Sequence, residues 1–228
     1  MTQNKDNQPV KKSVRLLWRL FWIGVIAFNL LIIGINFGLL GYMPSMKELE
    51  NPSSALSSEL YAGDGSVIGR YYVQDRSNST YSEISPNVLN ALLATEDSRF
   101  YEHSGIDGIA ILRVAFFLGR EGGGSTLTQQ LAKNLFPRKN ANIFTMPFIK
   151  LKEWVLAVKM ERNLTKNEII TLYLNTVPFG DNVYGIKNSS LTFFNKLPSK
   201  LTVDEAAVLI GMLKGNTLYN PRRNPERA

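Results

Sequence analysis

The stretch ATEDSRFYEHSG, residues 94–105, is the segment from which the rest of the chain is best interpreted. It brings two adjacent acids, an arginine, two aromatic rings and the only histidine of the chain into twelve positions. One interpretation is a helix end with a surface ion pair. The other is a general base, because partial burial favours the neutral form of a carboxylic acid and lets it exchange protons near neutral pH. The spacing alone leaves both interpretations open.

A glycine-rich segment follows, GGGSTLTQQLAKN at residues 122–134. Thr126, with Gln129 three positions later, has the capping-box pattern of a helix start. The amides at such an end are unpaired and carry a partial positive charge, which suits a phosphate or diphosphate, and Lys133 lies on the first turns of the same helix. The segment is not a nucleotide-binding P-loop, because no Lys-Ser or Lys-Thr pair follows the glycines. The alternative is a flexible hinge.

Helix starts are predicted at three further places. Ser85-Pro86 has the cap-then-proline order that opens a helix. Capping-box patterns recur at Thr165 with Glu168 and at Thr202 with Glu205. The chain after about residue 85 is therefore predicted to be helical.

Apolar stripes at helical spacing support these helices. The helix that leads into Glu96 has one at Val88, Leu92 and Thr95. A helix over 147–163 has one at Phe148, Leu151, Val155 and Val158. Its opposite side carries Lys150, Glu153, Ala157 and Glu161.

The part of the chain before residue 85 predicts a hairpin. Residues 59–73 alternate loosely around Gly-Asp-Gly-Ser at 63–66, the strongest turn signal in the sequence. No internal repeat is evident. We expect one mainly α domain with a small β-hairpin at its entrance.

A membrane anchor is predicted from residues 20–43, which contain no charged side chain. At about 1.5 Å per residue this run is long enough to cross a hydrocarbon layer of about 30 Å. Residues 1–19 form a basic tail with a net charge of +4, so the N-terminus is predicted to be cytoplasmic and everything after the anchor to lie outside. Residues 44–58, with prolines and serines, are predicted to be a linker. A cleaved signal peptide is the alternative, but the run is long and no small-x-small cleavage site follows it.

Charge and composition exclude other classes. The whole chain has a net charge of +7, but only +3 of it belongs to the 209 residues after the basic tail, which is not the charge pattern of a nucleic-acid-binding protein. The chain has no cysteine, so disulfides, thiolate metal sites and a cysteine nucleophile are excluded.

Two apolar segments allow two interpretations. Residues 109–118 are apolar nearly all round and are broken only by Arg113, and a second cluster contains Phe144, Met146, Pro147 and Phe148. Such segments are usually buried, and we expect burial here. The alternative is a surface that enters the membrane interface.

Taken together, these segments resemble the signature motifs of the peptidoglycan glycosyltransferase family, the lysozyme-like module of class A penicillin-binding proteins and of monofunctional glycosyltransferases. The resemblance lies in residues 96–105, 124–133 and 150–153. Shorter matches follow at 168–170, 172–175, 179–180, 184–185, 219–221 and 224–225. The resemblance covers residues 59–228. It implies a lysozyme-like helical domain behind one transmembrane helix.

The sequence departs from the family pattern at two places. The arginine that usually precedes the lysine of the third motif is replaced by Ile149, and Arg138, Lys139 or Lys152 are candidates to compensate for it. A pair of alanines and a glycine common in the family are replaced by Ser189, Ser190 and Asn195.

The resemblance implies a substrate, lipid II, and a growing glycan strand as donor. It assigns Glu96 as the general base and Glu153 as the acid that holds the cations of the leaving group in place. A divalent cation, Mg²⁺ or Mn²⁺, is a further candidate to meet the leaving diphosphate. Membrane lipids and other cell-wall synthesis proteins are the expected partners. The substrate-binding residues that it implies are Asp97, Phe100, His103, Gly124, Ser125, Thr126, Thr128, Gln129, Gln130, Lys133 and Lys150.

Two other functions remain open at this point. A lysozyme-like glycan hydrolase would use similar carboxylates, but it has no need of an anchor or of phosphate-binding groups. A non-catalytic assembly scaffold would not need both glutamates. The chain also ends within what resembles the last common segment of the family, so we expect it to be part of a longer bifunctional enzyme with a transpeptidase domain. No Ser-x-x-Lys motif with its partner motifs is present in these 228 residues.

Overall fold

The structure of the chain is a computed structural model. It describes residues 8–39, 42–45, 48, 58–61, 63, 67–71, 78–117, 123–136 and 142–227. The chain divides into two compact units, Met1–Pro44 and Ser45–Ala228. Each unit is described by itself.

The first unit contains one long helix, α1 (Gln8–Asn36). Its segment Lys12–Asn36 is long and apolar enough to cross a membrane, and most of its side chains are exposed, although Ile35 is buried. The bounds of the helix differ from the predicted membrane span of 20–43, because α1 begins at Gln8 and ends at Asn36. The basic residues after Gln8 therefore belong to the helix itself rather than to a separate tail.

The end of α1 is set by Gly38, which has a φ of 77°. The Gly38 N–H donates to the Ile35 carbonyl at 3.0 Å, and the Leu39 N–H donates to the Gly34 carbonyl at 2.9 Å. This is the Schellman arrangement, in which a left-handed residue lets the chain pair the last carbonyls of a helix. The prediction rested on the absence of charged residues up to Met43. That pattern carries no information about the Gly38 cap, so it did not indicate where the helix ends.

The second unit begins with the predicted hairpin. Strands β1 (Ser58–Tyr61) and β2 (Val67–Tyr71) pair antiparallel, with Glu59 opposite Arg70 and an irregularity between Leu60 and Tyr61. The turn residues at 62 and 64–66 lie outside the described residues.

Helices make up the rest of the unit, as predicted. They are α2 (Pro86–Glu96), α3 (Gly108–Phe117), α4 (Leu127–Leu135), α5 (Met146–Asn163), α6 (Lys166–Thr176), α7 (Ile186–Phe194) and α8 (Val203–Lys214). Short 3₁₀ turns lie at Tyr81–Glu83, Phe100–Glu102 and Pro198–Lys200. Helix α2 packs against α8, and α4 packs against α5 and α6. The core between these helices includes the fully buried side chains of Leu92, Leu131, Ile170, Leu174 and Leu209.

Most of the predicted helix starts are confirmed. Ser85 caps α2 by accepting from the Asn87 N–H. Complete capping boxes start α6 at Thr165 and α8 at Thr202. The box predicted at Thr126 is only half formed, because Gln129 donates its side chain to the Gly105 carbonyl instead.

Helix α5 buries residues of its polar side more fully than its apolar stripe. Its buried residues are Glu153, Leu156, Ala157 and Met160, whereas Phe148 is exposed and Leu151, Val155 and Val158 are half-buried. Thr95, expected on the core stripe of α2, is exposed as well. The apolar stripe on α5 was misleading because its polar side carries acids that are buried with cationic or hydroxyl partners, and such groups are invisible to a hydrophobicity pattern.

The expected burial of residues 109–118 is wrong for most of α3. Ile109 and Leu112 are exposed, and Phe116 is 81% exposed, while Ala110 is buried. Leu118 lies outside the described residues. Phe144 is 86% exposed, so the second apolar cluster is not buried either. Large apolar side chains that are exposed together are typical of surfaces that contact a membrane, another protein or a ligand.

The departures at Ser189, Ser190 and Asn195 fit their positions. Ser189 and Ser190 are buried on α7, and their hydroxyls donate to the Gly185 and Lys187 carbonyls at 2.7 and 3.0 Å. Asn195 ends α7 with a φ of 52°. Asparagine is among the few residues besides glycine that adopt this left-handed conformation readily, so the helix ends as it would with glycine.

Candidate active site

Glu96 is the last residue of α2 and is half-buried. Its Oε2 accepts a hydrogen bond from Gln130 Nε2 of α4 at 2.8 Å. Tyr173 of α6 in turn donates its hydroxyl to Gln130 Oε1 at 3.2 Å. The carboxylate predicted as a general base is thus held by a side chain of the second motif.

Glu96 lines a cleft of about 240 Å³. Ser125 and Thr126 of the glycine-rich segment line it too, as do Arg99 and Arg113. Arg99 forms an ion pair with Asp107 at 3.2 Å. Sequence reasoning missed both arginines as site residues. The signal for Arg113 was its position as the one charge in the apolar run of α3.

Asp97 connects the first two motifs. Its carboxylate lies 3.1 Å from His103 Nε2, and its Oδ2 accepts from the Leu127 N–H at 2.9 Å. The Gly105 N–H donates to His103 Nδ1 at 3.2 Å, which assigns the proton of the neutral ring to Nε2, where it faces Asp97. Asp97 is buried, so its part in this geometry is to fix the start of α4 and the His103 ring.

This arrangement changes the interpretation of the helix end at Thr126. The Leu127 N–H is already paired with the Asp97 carboxylate, and the Gln129 N–H with the Thr126 hydroxyl. A carboxylate at a helix N-terminus meets the same partial positive charge that a phosphate would meet. The first turn of α4 is therefore occupied by the protein's own acid, and an anionic ligand needs other groups.

Gly105 is the point where the first motif touches α5. Its φ is +88°, and a Cβ there would lie 2.9 Å from the backbone carbonyl carbon and oxygen of Ala157. The Gly105 carbonyl also accepts from the Thr126 hydroxyl at 2.8 Å and from Gln129 Nε2 at 3.0 Å. Only glycine allows both the backbone conformation and this approach.

The third motif meets the second through Lys150. Its Nζ donates to Ser125 Oγ at 2.8 Å and to Glu153 Oε2 at 3.0 Å. Glu153 is only 5% exposed, whereas the Lys150 side chain is partly exposed. Since Ser125 also lines the cleft, the Lys150 ammonium lies next to the site of Glu96.

A second buried acid supports the same region. Glu161 accepts from the Thr128 hydroxyl at 2.6 Å and pairs with Lys166, and Lys166 donates to the His103 carbonyl at 2.7 Å. The Lys166 ammonium also lies 4.1 Å from the centre of the Phe100 ring. Sequence reasoning found Glu161 only as a member of the polar side of α5.

The remaining candidates divide by exposure. Phe100, Thr128 and Gln129 are fully buried and contact other parts of the protein. Lys133 is exposed and follows Gln130 by three positions, so it lies on the same helical face as Gln130, although it does not line the cleft. A Cβ at Gly124 would lie 3.1 Å from a Val114 methyl group.

Of the three residues predicted to compensate for the missing arginine, the structure describes only one. Arg138 and Lys139 lie outside the described residues, and Lys152 is half-buried on α5. Arg113, which was not considered for that role, is the additional cation that lines the cleft.

Metal binding has no preformed site in the part of the chain that the structure describes. No group of three or more histidine, aspartate or glutamate side chains there could hold an ion. The carboxylate of Glu153 is paired with Lys150, and a lysine ammonium donates and cannot coordinate. The residues around Glu153 therefore do not fit a resident Mg²⁺ or Mn²⁺.

Comparison with known proteins gives consistent matches. Residues 64–228 match the family described as transglycosylase. Penicillin-binding protein 1A of Aquifex aeolicus (strain VF5) is 38% identical over 209 residues, covering 87% of this chain and 28% of that protein. Penicillin-binding protein 1A of Escherichia coli (strain K12) is 37% identical over 216 residues, covering 91% and 25%. The chain spans about a quarter of the length of these curated relatives.

Proposed function

The chain belongs to the transglycosylase family, and on that premise we propose that it is a membrane-anchored peptidoglycan glycosyltransferase. It polymerises lipid II into glycan strands and releases undecaprenyl diphosphate. The observation that carries this proposal is the cleft itself: the Glu96 carboxylate, which Gln130 holds, lines it, and the Lys150 ammonium donates to Ser125, which lines it too. A base and a cation near one cavity are what a sugar transfer with a diphosphate leaving group needs.

In the proposed reaction, Glu96 takes the proton of the acceptor sugar's 4-hydroxyl. That oxygen forms the new bond to the anomeric carbon of the donor strand, and the bond from this carbon to the lipid diphosphate breaks. The electron pair leaves with the diphosphate. Attack opposite the leaving group inverts the anomeric centre, so no covalent enzyme intermediate is needed.

The leaving diphosphate is met by cationic side chains in this proposal. Arg113 lines the cleft, Lys150 donates to Ser125 of the cleft wall, and Lys133 extends from the Gln130 face of α4. Glu153 fixes Lys150 from its buried side, so the ammonium is oriented before substrate arrives. No step is assigned to a metal ion.

The membrane location follows from α1 and the surface of α3. Helix α1 has the length of a single-pass anchor, and the +4 charge of residues 1–19 favours a cytoplasmic N-terminus with the catalytic domain outside. The exposed side chains of Leu112, Phe116 and Phe144 would enter the lipid interface, where a substrate with its tail in the bilayer is reached most easily.

The experiment that tests the proposal is incubation of the full chain with lipid II in detergent, followed by gel separation of the products. We expect a ladder of glycan polymers. A hydrolase would instead shorten polymer that is added at the start, and a scaffold would leave both lipid II and polymer unchanged. Either of those results would replace the proposed activity.

A further inference from the structure

Tyr173 reaches the proposed base through one intervening amide. Its hydroxyl donates to Gln130 Oε1 at 3.2 Å, and Gln130 Nε2 donates to Glu96 Oε2 at 2.8 Å. The three residues come from α6, α4 and α2, which the chain brings together from positions far apart. Tyr173 is 1% exposed, so it cannot itself contact a substrate in this geometry.

The amide of Gln130 has a direction, and the two contacts fix it. An amide has an accepting oxygen and a donating nitrogen, and rotation by half a turn exchanges them. In the rotated state the amide oxygen would face the Glu96 carboxylate, and two acceptors would repel. The Glu96 carboxylate only accepts, so it selects the orientation in which Nε2 faces it, and the Tyr173 hydroxyl then donates to Oε1 and holds the amide in that position.

The hydroxyl is able to donate because it stays protonated. Burial and the nearby charge of Glu96 raise the pKa of Tyr173 well above its usual value of 10.0. Within the described part of the chain, Glu96 Oε1 has no hydrogen-bond partner, whereas Oε2 is taken by Gln130. The oxygen left for an acceptor hydroxyl is then Oε1, and its direction depends on how firmly Oε2 is held.

We propose that Tyr173 is a positioning residue, which fixes the Gln130 amide so that Glu96 presents one defined carboxylate oxygen to the acceptor sugar. This inference rests on the proposed function for its chemical meaning. The relay of hydrogen bonds from Tyr173 to Gln130 to Glu96 involves no substrate, so it can be tested on the protein alone. The alternative is that Tyr173 only fills the core beside Ile169 and Leu174.

The kinetic test uses Tyr173→Phe, which keeps the ring in the core and removes only the hydroxyl. On lipid II in detergent we expect kcat to fall roughly five- to ten-fold, the equivalent of one hydrogen bond, with KM changed less than two-fold. Tyr81→Phe, which removes a phenol hydroxyl from a half-buried residue in the 3₁₀ turn, is the matched control and should keep the normal rate. Thermal unfolding of each variant checks that it folds.

A double-mutant cycle with Gln130→Met tests whether the Tyr173 hydroxyl acts through Gln130 or independently of it. If Tyr173 acts through Gln130, Tyr173→Phe should cost no further activity once the amide is gone. Losses that multiply in the double variant would mean that the hydroxyl acts independently, and the relay would be overturned. If Tyr173 only fills the core, kcat of Tyr173→Phe should stay within two-fold of the wild-type value. That result would also overturn the relay.

A measurement without substrate keeps this inference separate from the proposed function. The side-chain NH₂ of Gln130, followed by NMR on the full chain in micelles, should exchange slowly with solvent in the wild type and several-fold faster in Tyr173→Phe. Equal exchange in the two proteins overturns the relay even if lipid II is polymerised. If lipid II is not polymerised but the exchange differs as expected, the relay stands and the proposed activity is what fails.

Discussion

At the scale of single residues, the two glutamates of the site differ in their surroundings. Glu96 is half-buried, lines the cleft and accepts from a neutral amide. Glu153 is buried and pairs with an ammonium. The Glu153 carboxylate is turned toward the Lys150 ammonium, whereas Glu96 lies at the cleft, where an acceptor hydroxyl can approach it. The structure therefore supports different roles for the two acids.

The first prediction concerns Glu96→Gln. Glutamine keeps the shape of the side chain but cannot take a proton, so polymerisation of lipid II should fall by roughly two to four orders of magnitude. Circular dichroism and thermal unfolding should show a folded protein. A variant that polymerises at the normal rate would remove Glu96 from the mechanism and leave the family membership untouched.

The second prediction concerns Glu153→Gln. By resemblance alone, the loss in this variant would be expected to depend on divalent metal, but the pairing of Glu153 with Lys150 points to an ammonium instead. We expect a fall of roughly ten- to a hundred-fold that titration with Mg²⁺ does not reverse. Adding Lys150→Met should cost little more, since the two side chains act as one unit. Full rescue by Mg²⁺ would restore a metal role for this acid.

The third prediction concerns Gly105→Ala. The φ of +88° and the 2.9 Å approach to the Ala157 carbonyl leave no room for a Cβ. We expect a loss of roughly 2–4 kcal/mol in the free energy of unfolding, measured by denaturant titration. Gly108→Ala is the control, because a Cβ there meets nothing within 4 Å, and it should change stability by less than about 1 kcal/mol. Equal effects of the two substitutions would contradict the packing described at Gly105.

At the scale of helices, the starts of the helices were predictable from the sequence, whereas the faces that they bury were not. The starts at Ser85, Thr165 and Thr202 depend on a few adjacent residues, and a local pattern is sufficient to find them. The start at Thr126 has the same local pattern, but Gln129 is taken by Gly105, a residue 24 positions away. Long-range partners of this kind are not written in the local sequence.

The packed face of α5 shows a related limit. Glu153 and Glu161 look like surface residues by hydrophobicity, yet each is buried with a lysine partner. Lys166 lies on the next helix, so its pairing with Glu161 depends on how two helices meet. Phe116 of α3 is the converse case, in which a large apolar side chain is exposed to solvent. The candidate acids were predictable from resemblance, whereas Tyr173 and Arg113 needed the fold.

The fourth prediction uses the capping box of α6. Hydrogen bonds from the Thr165 backbone and hydroxyl hold the pKa of Glu168 below its usual 4.5. A lowered pKa in the folded state means that the contribution to stability is present above pH 4.5 and is lost as the pH falls through the folded value. The difference in Tm between wild type and Glu168→Gln should therefore shrink between about pH 5 and about pH 3.

At the scale of the whole molecule, the long apolar helix and the helical domain were separable from the sequence, and the exact end of the apolar helix was not. A stretch without charge identifies a candidate membrane segment, but Gly38 and not the next charge ends α1. The distinction matters for design, because a truncation after Asn36 would cut into the cap of the helix.

The fifth prediction is topological. A reporter fused before Lys11 should be cytoplasmic, and one fused after Pro44 should lie outside, because the basic charge is concentrated on the N-terminal side of the span. Alkaline phosphatase and a fluorescent protein give opposite signals on the two sides. Reversed signals would contradict the orientation, and a mature protein that lacks its first residues would favour the signal-peptide alternative.

The shared carboxylate of Asp97 has a genetic consequence. Because one side chain serves both the His103 ring and the first amide of α4, a lesion there injures two motifs at once. Second-site changes that restore polymerisation of lipid II after Asp97→Asn should then be rare away from position 97 itself, since no single second change supplies a negative charge to both partners. Glu226 is exposed and does not connect two motifs, so a substitution there should need no compensating change.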